Sequence, residues 1–316
     1  MKRVLVTDKA HPILEEKLRE AGFACDVKPN LTYDELLSEV NNYDALVVRS
    51  KVNIDKNFIS QARTIKCIGR VGAGMETIDV DYAEQNGIVC LNSPEGNRDA
   101  VGEHTIGLLL ALVNKMATAN VEIRNGLWKR EENRGIEIKG RTVGIIGFGN
   151  MGSSFAKRLQ GFECDIISYD KYKTGYAPSY VEEVGLEELY SRADIVSFHI
   201  PLTDETHYMA NESFFNSFAK PIYVLNTARG AVVKTVDLVE ALKSGKVKGA
   251  ALDVIEYEDM TKDGLDIESL TDDFRYLLSA SNVLLTPHVG GWTVESKYKL
   301  AAVLADKIID VLNRSL

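Results

Sequence analysis

Short runs of β-branched and aliphatic residues alternate with amphipathic stretches along this chain, and no other feature limits its fold as strongly. The first five runs are RVLVTD (3–8), ACDVK (24–28), DALVVRS (44–50), IKCIGRV (65–71) and IVCLN (88–92). A crossover between parallel strands needs a dozen or more residues and is usually helical. The alternation therefore predicts an α/β fold, in which helices cover both faces of a parallel sheet.

A second series of strands follows an interruption. The sequence SPEGN at residues 93–97 breaks the alternation, and a long helical segment is expected from about residue 99 to 123, ending at Asn125-Gly126. Six further strands are then predicted, at RTVGIIG (141–147), CDIISYD (164–170), ADIVSFHI (193–200), PIYVLNTA (221–228), KGAALDVI (248–255) and NVLLTPHV (282–289). Two doubly wound parallel-sheet domains are therefore expected.

The last helical segment indicates how the two domains are connected. Residues 294–313 form an apolar stripe that we expect to pack on the first domain. Residues 1–97 and 290–316 would then form a flavodoxin-like substrate domain, and residues 98–289 an inserted Rossmann domain. Two linkers across one cleft would allow a hinge.

Composition excludes several classes of protein. Thirty-seven basic and 46 acidic residues give a net charge of −9, spread along the chain, so no cationic stripe is available for nucleic acid or an anionic membrane. The four cysteines form no CxxC motif, and the sequence MKRVLVTDKA lacks the apolar core of a signal peptide. The longest apolar stretch, residues 105–113, is shorter than the ~18 residues of a membrane span. We expect a soluble cytoplasmic protein without a structural metal.

The sequence GFGNMG at residues 147–152 is a G-x-G-x-x-G motif between a predicted strand and a predicted helix. The first glycine would allow a tight turn, the second a close approach to a pyrophosphate, and the third close packing of helix on strand. The predicted phosphate-binding residues are Gly147, Gly149, Asn150, Met151 and Gly152. A glycine-rich turn without a ligand is the alternative.

Asp170 ends the next strand, 18 residues after the motif, where a ribose-binding acid is expected. A carboxylate accepts hydrogen bonds from both ribose hydroxyls and repels a 2′-phosphate, which favours NAD as the cofactor. Lys171 and Lys173 lie nearby and act against that preference.

A second glycine pair, Gly72-Ala73-Gly74, resembles the start of the same motif. Thr77 stands where the third glycine would be, so a second dinucleotide site is not expected. The turn could bind a small anion through its backbone N–H groups, or it could simply end a strand.

Ligands in open parallel sheets bind beyond the carboxyl ends of the strands, which singles out His199 and His288 among the five histidines. Arg229 follows another strand, and a third is followed by an acidic loop that contains Glu256, Glu258 and Asp259. An arginine can bind a carboxylate, a histidine can transfer a proton, and an acid can hold the imidazolium. The set suits a 2-oxo acid beside a nicotinamide. Spacing alone does not choose among the three acids. The alternative interpretation is that Arg229 forms only a surface ion pair and that Glu258 is a solvated acid, so that neither belongs to a binding site.

Eight ordered motifs resemble those of the D-isomer-specific 2-hydroxyacid dehydrogenases over essentially the whole chain. They are VVRSK (47–51), GRVGAG (69–74), NSPEGNRDAVGEHTIGLLLAL (92–112), GIIGFGNMG (144–152), HIPLTDET (199–206), NTARGAVV (226–233), GAALDVIEYE (249–258) and LLTPHVGG (284–291). The resemblance implies that Arg229, Glu258 and His288 carry catalysis. One departure is Asp259, where the family usually has proline after the glutamate.

The resemblance also implies ligand contacts that the residues alone do not indicate. The implied cofactor contacts are Pro201, Thr206, Thr227, Ala228, Asp253 and Gly291. The implied substrate contacts are Arg49, Ser50, Lys51 and the Gly72-Ala73-Gly74 turn, together with Arg229.

Within this family the nearest likeness is to the branch that oxidises D-3-phosphoglycerate to 3-phosphohydroxypyruvate for serine synthesis, with Arg49, Lys51, Arg130 or Arg134 available for a phosphate. A glyoxylate or hydroxypyruvate reductase is the alternative enzyme, and an NAD-sensing binding protein is the alternative outside enzymes. The sequence ends one helix after His288, so a C-terminal regulatory domain is not expected. The partly apolar segment 99–123 suggests a homodimer interface.

Overall fold

The computed structural model describes residues 1–258 and 270–314. The chain divides into two compact units. Unit 1 contains Met1–Asp99 and Trp292–Leu316, and unit 2 contains Ala100–Gly291. Each boundary lies two residues from the one expected from the sequence.

Unit 1 is built on a five-stranded parallel sheet with the order β2-β1-β3-β4-β5. This is the flavodoxin-like order. The strands are β1 (Arg3–Val6), β2 (Ala24–Val27), β3 (Ala45–Val48), β4 (Cys67–Arg70) and β5 (Val89–Leu91). The helices between them are α1 (Ile13–Glu20), α2 (Tyr33–Glu39), α3 (Lys56–Gln61) and α4 (Val80–Gln85).

The C-terminal helix α12 (Val294–Arg314) completes unit 1, as the apolar stripe predicted. Its residues Leu304 and Ile308 are fully buried in a cluster with Val4 and Val47 of the central strands. A Cβ atom on Gly69 of β4 would lie 3.0 Å from Leu304, so the absence of a side chain there allows α12 to lie close to the sheet. A second cluster fills the other face of the sheet.

Unit 2 is built on a seven-stranded parallel sheet with the order β12-β11-β10-β9-β6-β7-β8. Counted from β6, this is the Rossmann order with one strand added at the edge, so the predicted fold class is confirmed. The strands are β6 (Thr142–Ile146), β7 (Asp165–Tyr169), β8 (Glu182–Glu183), β9 (Ile195–Phe198), β10 (Ile222–Asn226), β11 (Val247–Leu252) and β12 (Val283–Leu285). The short strand β8 was not predicted.

The helices from α5 to α11 differ from expectation at one place. They are α5 (Arg98–Val113), α6 (Met116–Arg124), α7 (Asn150–Leu159), α8 (Leu186–Arg192), α9 (Glu212–Ser217), α10 (Thr235–Lys243) and α11 (Asp272–Ser279). The prediction of one helix over 99–123 was wrong, because Lys115 adopts a left-handed conformation (φ 52°) that ends α5 before α6 begins. Within the described ranges no single helix is long and apolar enough to cross a membrane, while α5 and α6 meet that test only as a pair bent by 62°.

Candidate active site

The glycine-rich turn of unit 2 joins β6 to α7. Gly147 has a φ of +90°, and a Cβ atom there would lie 2.7 Å from the carbonyl oxygen of His199. A Cβ atom on Gly152 would lie 2.1 Å from the carbonyl oxygen of Gly147. Both positions therefore require glycine, the first for its backbone conformation and the second for the close packing of α7 on β6.

Gly149 stands at the N-terminal end of α7 and faces open space, with no atom within 4 Å of where its Cβ would be. Asn150 and Met151 form the first turn of the helix, and among the described residues no side chain caps this end. Exposed backbone N–H groups at a helix N-terminus bind phosphate groups. The turn thus suits the pyrophosphate of a dinucleotide.

Asp170 follows β7 and is held by the backbone on both sides. One carboxylate oxygen accepts a hydrogen bond from the N–H of Phe148 (2.9 Å), and the other accepts one from the N–H of Tyr172 (3.1 Å). Each oxygen has a second lone pair for a ribose hydroxyl. Lys171 forms an ion pair with Glu205, and Lys173 donates to the carbonyl oxygen of Phe148.

Other predicted cofactor contacts lie in loops after β9 and β10. The hydroxyl of Thr206 donates to the carbonyl oxygen of Pro201 (2.7 Å) and so closes the turn between them. After β10, the hydroxyl of Thr227 lies 3.2 Å from that of Thr105 on α5, and Ala228 is buried. Gly291 is the last residue of unit 2.

His199 and His288, the two histidines at predicted strand ends, have opposite surroundings. The ring of His199 packs on Phe155, its Nε2 lies 2.8 Å from Ser197 Oγ, and burial lowers its pKa to about 3. A histidine with this pKa stays neutral and is a poor proton carrier at neutral pH. The backbone N–H of His199 donates to the carbonyl oxygen of Ile146 (2.8 Å), the residue before the glycine-rich turn.

His288 follows β12 and forms a pair with an acid. Its Nδ1 lies 3.0 Å from Oε2 of Glu258. This hydrogen bond raises the pKa of His288 above its ordinary value; the charges of Glu258 and Asp253 act in the same direction, while burial and the charge of Arg229 oppose them. The two side chains are 52% and 39% exposed, so the pair is open to solvent and to a ligand.

The three acids that spacing alone did not separate have different positions. Glu258 faces His288, whereas the carboxylate of Glu256 accepts hydrogen bonds from the hydroxyl of Tyr208 and from the backbone N–H of Thr235 (3.0 Å). Asp259 lies outside the described residues.

Arg229 stands just before a short 3₁₀ turn, Gly230–Val232, that follows β10. The side chain of Asn226 accepts a hydrogen bond from the N–H of Ala228 (3.0 Å) and donates to the carbonyl oxygen of Arg229 (2.9 Å). Asn226 is fully buried, so the strand end is fixed from within. The backbone that presents the guanidinium is thereby determined by the N-x-A-R sequence.

The carboxylate of Asp253, which follows β11, joins the loop of His288 to the sheet. It accepts hydrogen bonds from the hydroxyl of Thr286 (2.6 Å) and the N–H groups of Val289 (2.9 Å) and Gly290 (2.8 Å), and it lies 3.2 Å from Nε2 of His104. Burial alone would raise the pKa of Asp253, but these hydrogen bonds lower it to about 2.

The backbone of His288 is in the left-handed region, with a φ of +54°. This conformation is uncommon for a residue other than glycine, asparagine or aspartate and costs on the order of 1 kcal/mol. The N–H of His288 donates to the carbonyl oxygen of Asp253 (2.8 Å). Asp253 therefore holds this turn through both its main chain and its side chain.

Sequence reasoning missed His104 and Tyr208 as neighbours of the site. His104 lies four residues from Ala100 and from Leu108, which are both buried, so the polar residue falls on the buried face of α5. A polar residue on a buried helix face was the sequence signal that could have indicated His104. Tyr208 lies in a loop and carries no comparable pattern.

The predicted substrate contacts lie in unit 1. The N–H groups of Arg49 and Ser50 donate to the buried carboxylate of Asp8, at 3.1 and 3.3 Å. The guanidinium of Arg49 lies over the ring of Trp292, 4.7 Å from its centroid. Lys51 is exposed and donates to the carbonyl oxygen of Pro29 (2.9 Å).

The turn Gly72-Ala73-Gly74 follows β4 in the same sheet. The side chain of Asn92 donates to the carbonyl oxygen of Ala73 (2.6 Å), and the N–H of Ser93 donates to that of Gly72 (2.9 Å). The loop after β5 thus fixes this turn at the carboxyl edge of the unit 1 sheet, where β3 also ends.

Comparisons with known proteins identify the family of the chain. Residues 106–290 match the family model described as D-isomer specific 2-hydroxyacid dehydrogenase, NAD binding domain. A hydroxypyruvate reductase of Thermotoga maritima is 37% identical over 284 residues, which are 90% of this chain and 89% of that protein.

A D-3-phosphoglycerate dehydrogenase of Archaeoglobus fulgidus is 36% identical over 307 residues. These cover 96% of this chain but 56% of that protein, so the chain spans little more than half of this relative. Among solved structures, protein TT0316 of Thermus thermophilus matches with a TM-score of 0.81 and 31% identity, covering 99% of this chain and 97% of that one. The chain belongs to the D-isomer specific 2-hydroxyacid dehydrogenases, and residues 106–290 form the NAD-binding domain of that family.

Proposed function

We propose that the protein interconverts a D-2-hydroxy acid and the corresponding 2-oxo acid with NAD as the cofactor. The observation that carries the proposal is the 3.0 Å pair of His288 and Glu258 at the same sheet edge as the glycine-rich turn. Bound NAD would supply a hydride acceptor for the carbon that carries the hydroxyl group. The chain must then remove one proton from the hydroxyl group and hold the acid in place.

In the oxidation direction His288 accepts the hydroxyl proton, and in reduction it returns that proton to the carbonyl oxygen. Glu258 orients the imidazole and stabilises its cationic form, a role supported by the raised pKa of His288. Arg229 binds the carboxylate and the neighbouring oxygen of the substrate, because its planar guanidinium can form two parallel hydrogen bonds.

The residues proposed to hold NAD all belong to unit 2. They are Gly147, Gly149, Asn150, Met151, Gly152, Asp170, Pro201, Thr206, Thr227, Ala228, Asp253 and Gly291. The left-handed Gly147 and the hydrogen-bonded carboxylate of Asp170 support pyrophosphate and ribose binding respectively. Lys171 and Lys173, which could otherwise attract the 2′-phosphate of NADP, contact Glu205 and Phe148 instead. This supports NAD over NADP as the cofactor.

We propose D-3-phosphoglycerate as the substrate, oxidised to 3-phosphohydroxypyruvate in serine synthesis. The similarity to the A. fulgidus enzyme and the cationic residues Arg49 and Lys51 support this choice. Ser50, Ala73 and Gly74 are further proposed contacts. Hydroxypyruvate or glyoxylate reduction is the second candidate, because the T. maritima reductase is similar over 89% of its length.

A substrate panel tests both the reaction and its substrate. The protein is mixed with NADH and, separately, with 3-phosphohydroxypyruvate, hydroxypyruvate, glyoxylate and pyruvate, and absorbance at 340 nm is followed. The fastest decrease with the phosphorylated acid would support the first candidate, and a preference for hydroxypyruvate or glyoxylate would support the second. NADH binding without turnover of any acid would indicate an NAD-sensing protein instead.

We also propose a homodimer that forms through the region of α6. Apolar side chains exposed on α6 and just after it support this interface: Val121, Ile123, Leu127 and Trp128, the last of which is 80% exposed. An exposed apolar patch of this kind usually marks an interaction surface. Sedimentation equilibrium tests the proposal, and a mass of 35.0 kDa at all concentrations would contradict it.

A further inference from the structure

The carboxylate of Glu256 connects three segments of unit 2. One oxygen accepts a hydrogen bond from the hydroxyl of Tyr208, in the loop before α9. The other accepts one from the N–H of Thr235, the first residue of α10, at 3.0 Å. Glu256 itself stands two residues before Glu258. This acid therefore ties the Glu258 segment to two elements outside it.

The turn that follows Arg229 is packed against the same segment. A Cβ atom on Gly230 would lie 1.9 Å from the carbonyl oxygen of Ile255, so the two backbones are in direct contact. The N–H of Tyr208 donates to the carbonyl oxygen of Ala231 (2.8 Å) in that turn. The backbone of Tyr208 thus contacts the turn that follows Arg229. Its side chain contacts Glu256, which belongs to the segment that carries Glu258.

Tyr208 is held in an unfavourable backbone conformation, with a φ of +53°. Such a conformation persists in a tyrosine only where its surroundings determine it. The hydrogen bond to Glu256 is also the main cause that raises the pKa of Tyr208, to about 12. The hydroxyl therefore remains a donor over the whole range in which enzymes of this class are assayed.

We propose that Glu256, held by Tyr208 and Thr235, is a positioning residue that fixes Glu258 against His288 relative to the Arg229 turn. The inference rests on the proposed function, in which Glu258 acts on His288. Because Glu258 and His288 are both more than a third exposed, solvent weakens their mutual attraction. The alignment of the pair must then come from the backbone. Tyr257 packs this segment on Phe274, and Glu256 adds two hydrogen bonds that fix it in a defined direction.

The test follows the imidazole of His288 by NMR in histidine-labelled protein between pH 5 and 10. The charges around this ring are Glu258, Asp253 and Arg229, and all three are retained in the Glu256 and Tyr208 variants, whereas Glu258→Gln removes one of them and serves as the reference. Glu256→Gln should lower the pKa of His288 toward the value in Glu258→Gln, and Tyr208→Phe should lower it by a smaller amount. Glu240→Gln on α10, which removes an exposed pair with Lys243, is the matched control and should leave it unchanged.

Turnover gives a second measurement. Glu256→Gln should reduce kcat for 2-oxo acid reduction about tenfold at pH 8, with KM for NADH within twofold of wild type, and Glu256→Asp should recover part of the loss. A Glu256→Gln protein that titrates and turns over like wild type but melts at lower temperature would overturn the proposal and leave Glu256 as a cap of α10.

The two proposals fail in different ways. A wild-type protein that reduces no acid would contradict the proposed function, while the NMR titration would still decide whether Glu256 positions Glu258. If Glu256→Gln does not fold, Tyr208→Phe, which leaves the contact with Thr235, decides the question: an unchanged titration of His288 in that variant would overturn the proposal.

Discussion

A buried aspartate organises the carboxyl edge of the sheet in each unit. Asp8 lies two residues after β1, and Asp253 directly after β11. Each accepts hydrogen bonds from two successive backbone N–H groups of a loop that follows a neighbouring strand. The same device, a buried aspartate that accepts two successive backbone N–H groups, therefore occurs in two different folds. In each it lies beside residues that we expect to contact a ligand.

The two devices differ in strength. The N–H groups reach Asp8 at 3.1 and 3.3 Å, and its further partner, Lys51, lies 3.9 Å away on the exposed surface. Asp253 receives its N–H groups at 2.8 and 2.9 Å, and it gains the hydroxyl of Thr286 and the contact with His104.

The difference follows from what each loop must hold. The loop after β12 carries His288 in a left-handed conformation, which is sustained only by several short hydrogen bonds. The loop after β3 carries Arg49 and Lys51, whose long side chains can adjust to a ligand without a fixed backbone. A proton-transfer residue needs a defined position, whereas a charged recognition residue tolerates variation.

The largest effect is expected when the stronger device is weakened. Asp253→Asn replaces one acceptor oxygen by an NH₂ group that faces a backbone N–H, so we expect kcat to fall at least ~100-fold and the free energy of unfolding to fall by on the order of 2 kcal/mol at pH 7. Steady-state kinetics and urea unfolding measure the two effects.

The same variant carries a pH signature. Because the pKa of Asp253 is lowered to about 2 from 3.8, its charged form stabilises the fold at neutral pH, and this contribution is lost as pH falls from about 4 to 2. The gap in unfolding free energy between wild type and Asp253→Asn should therefore narrow over that interval. A gap that stays constant down to pH 2 would show that the carboxylate contributes by its shape and not by its charge.

An intermediate effect is expected at His104, the helical partner of Asp253. His104→Leu fills the space but removes the ring nitrogen that lies 3.2 Å from both Asp253 and Thr286, which should cost about 1 kcal/mol of stability and about tenfold in kcat. His104→Gln can restore one polar contact and serves as the comparison. Equal losses in the two variants would mean that packing on α5 matters and the hydrogen bond does not.

The smallest effect is expected in unit 1. Both N–H groups donate to the same oxygen of Asp8, so the amide oxygen in Asp8→Asn can still accept them, more weakly, and the free energy of unfolding should fall by about 1 kcal/mol or less. The KM for the 2-oxo acid should rise several-fold while kcat stays within about twofold. A fall in kcat as large as that of Asp253→Asn would remove the distinction between a fixed and an adjustable loop.

Features that depend on neighbouring residues in the chain were predictable from the sequence. The strands of both sheets follow from apolar runs, and Gly147, Gly152 and Asp170 follow from spacing within one strand–helix–strand unit. The break at Lys115 was not predictable, because neither glycine nor proline marks it. The two-residue strand β8 is too short to give a periodic pattern.

The choice of Glu258 over Glu256 depends on residues distant in sequence. The carboxylate of Glu256 accepts hydrogen bonds from Tyr208, 48 residues earlier, and from the N-terminus of α10. No local sequence pattern indicates either contact. The catalytic roles of Arg229, Glu258 and His288 remain predictions, which the substrate panel and the variants above would test.

The packing of α12 under β4 also sets the order in which this protein can be completed during translation. One face of the unit 1 sheet is covered partly by α1 and partly by Leu304 and Ile308, and the latter two are synthesised only after the whole of unit 2. At the usual 5–20 residues per second, the roughly 190 residues of unit 2 take about 10–40 s to synthesise. During that interval Val4 and Val47 of the central strands lack their contacts with α12, so we expect unit 1 to reach its final packing only after unit 2 has been synthesised.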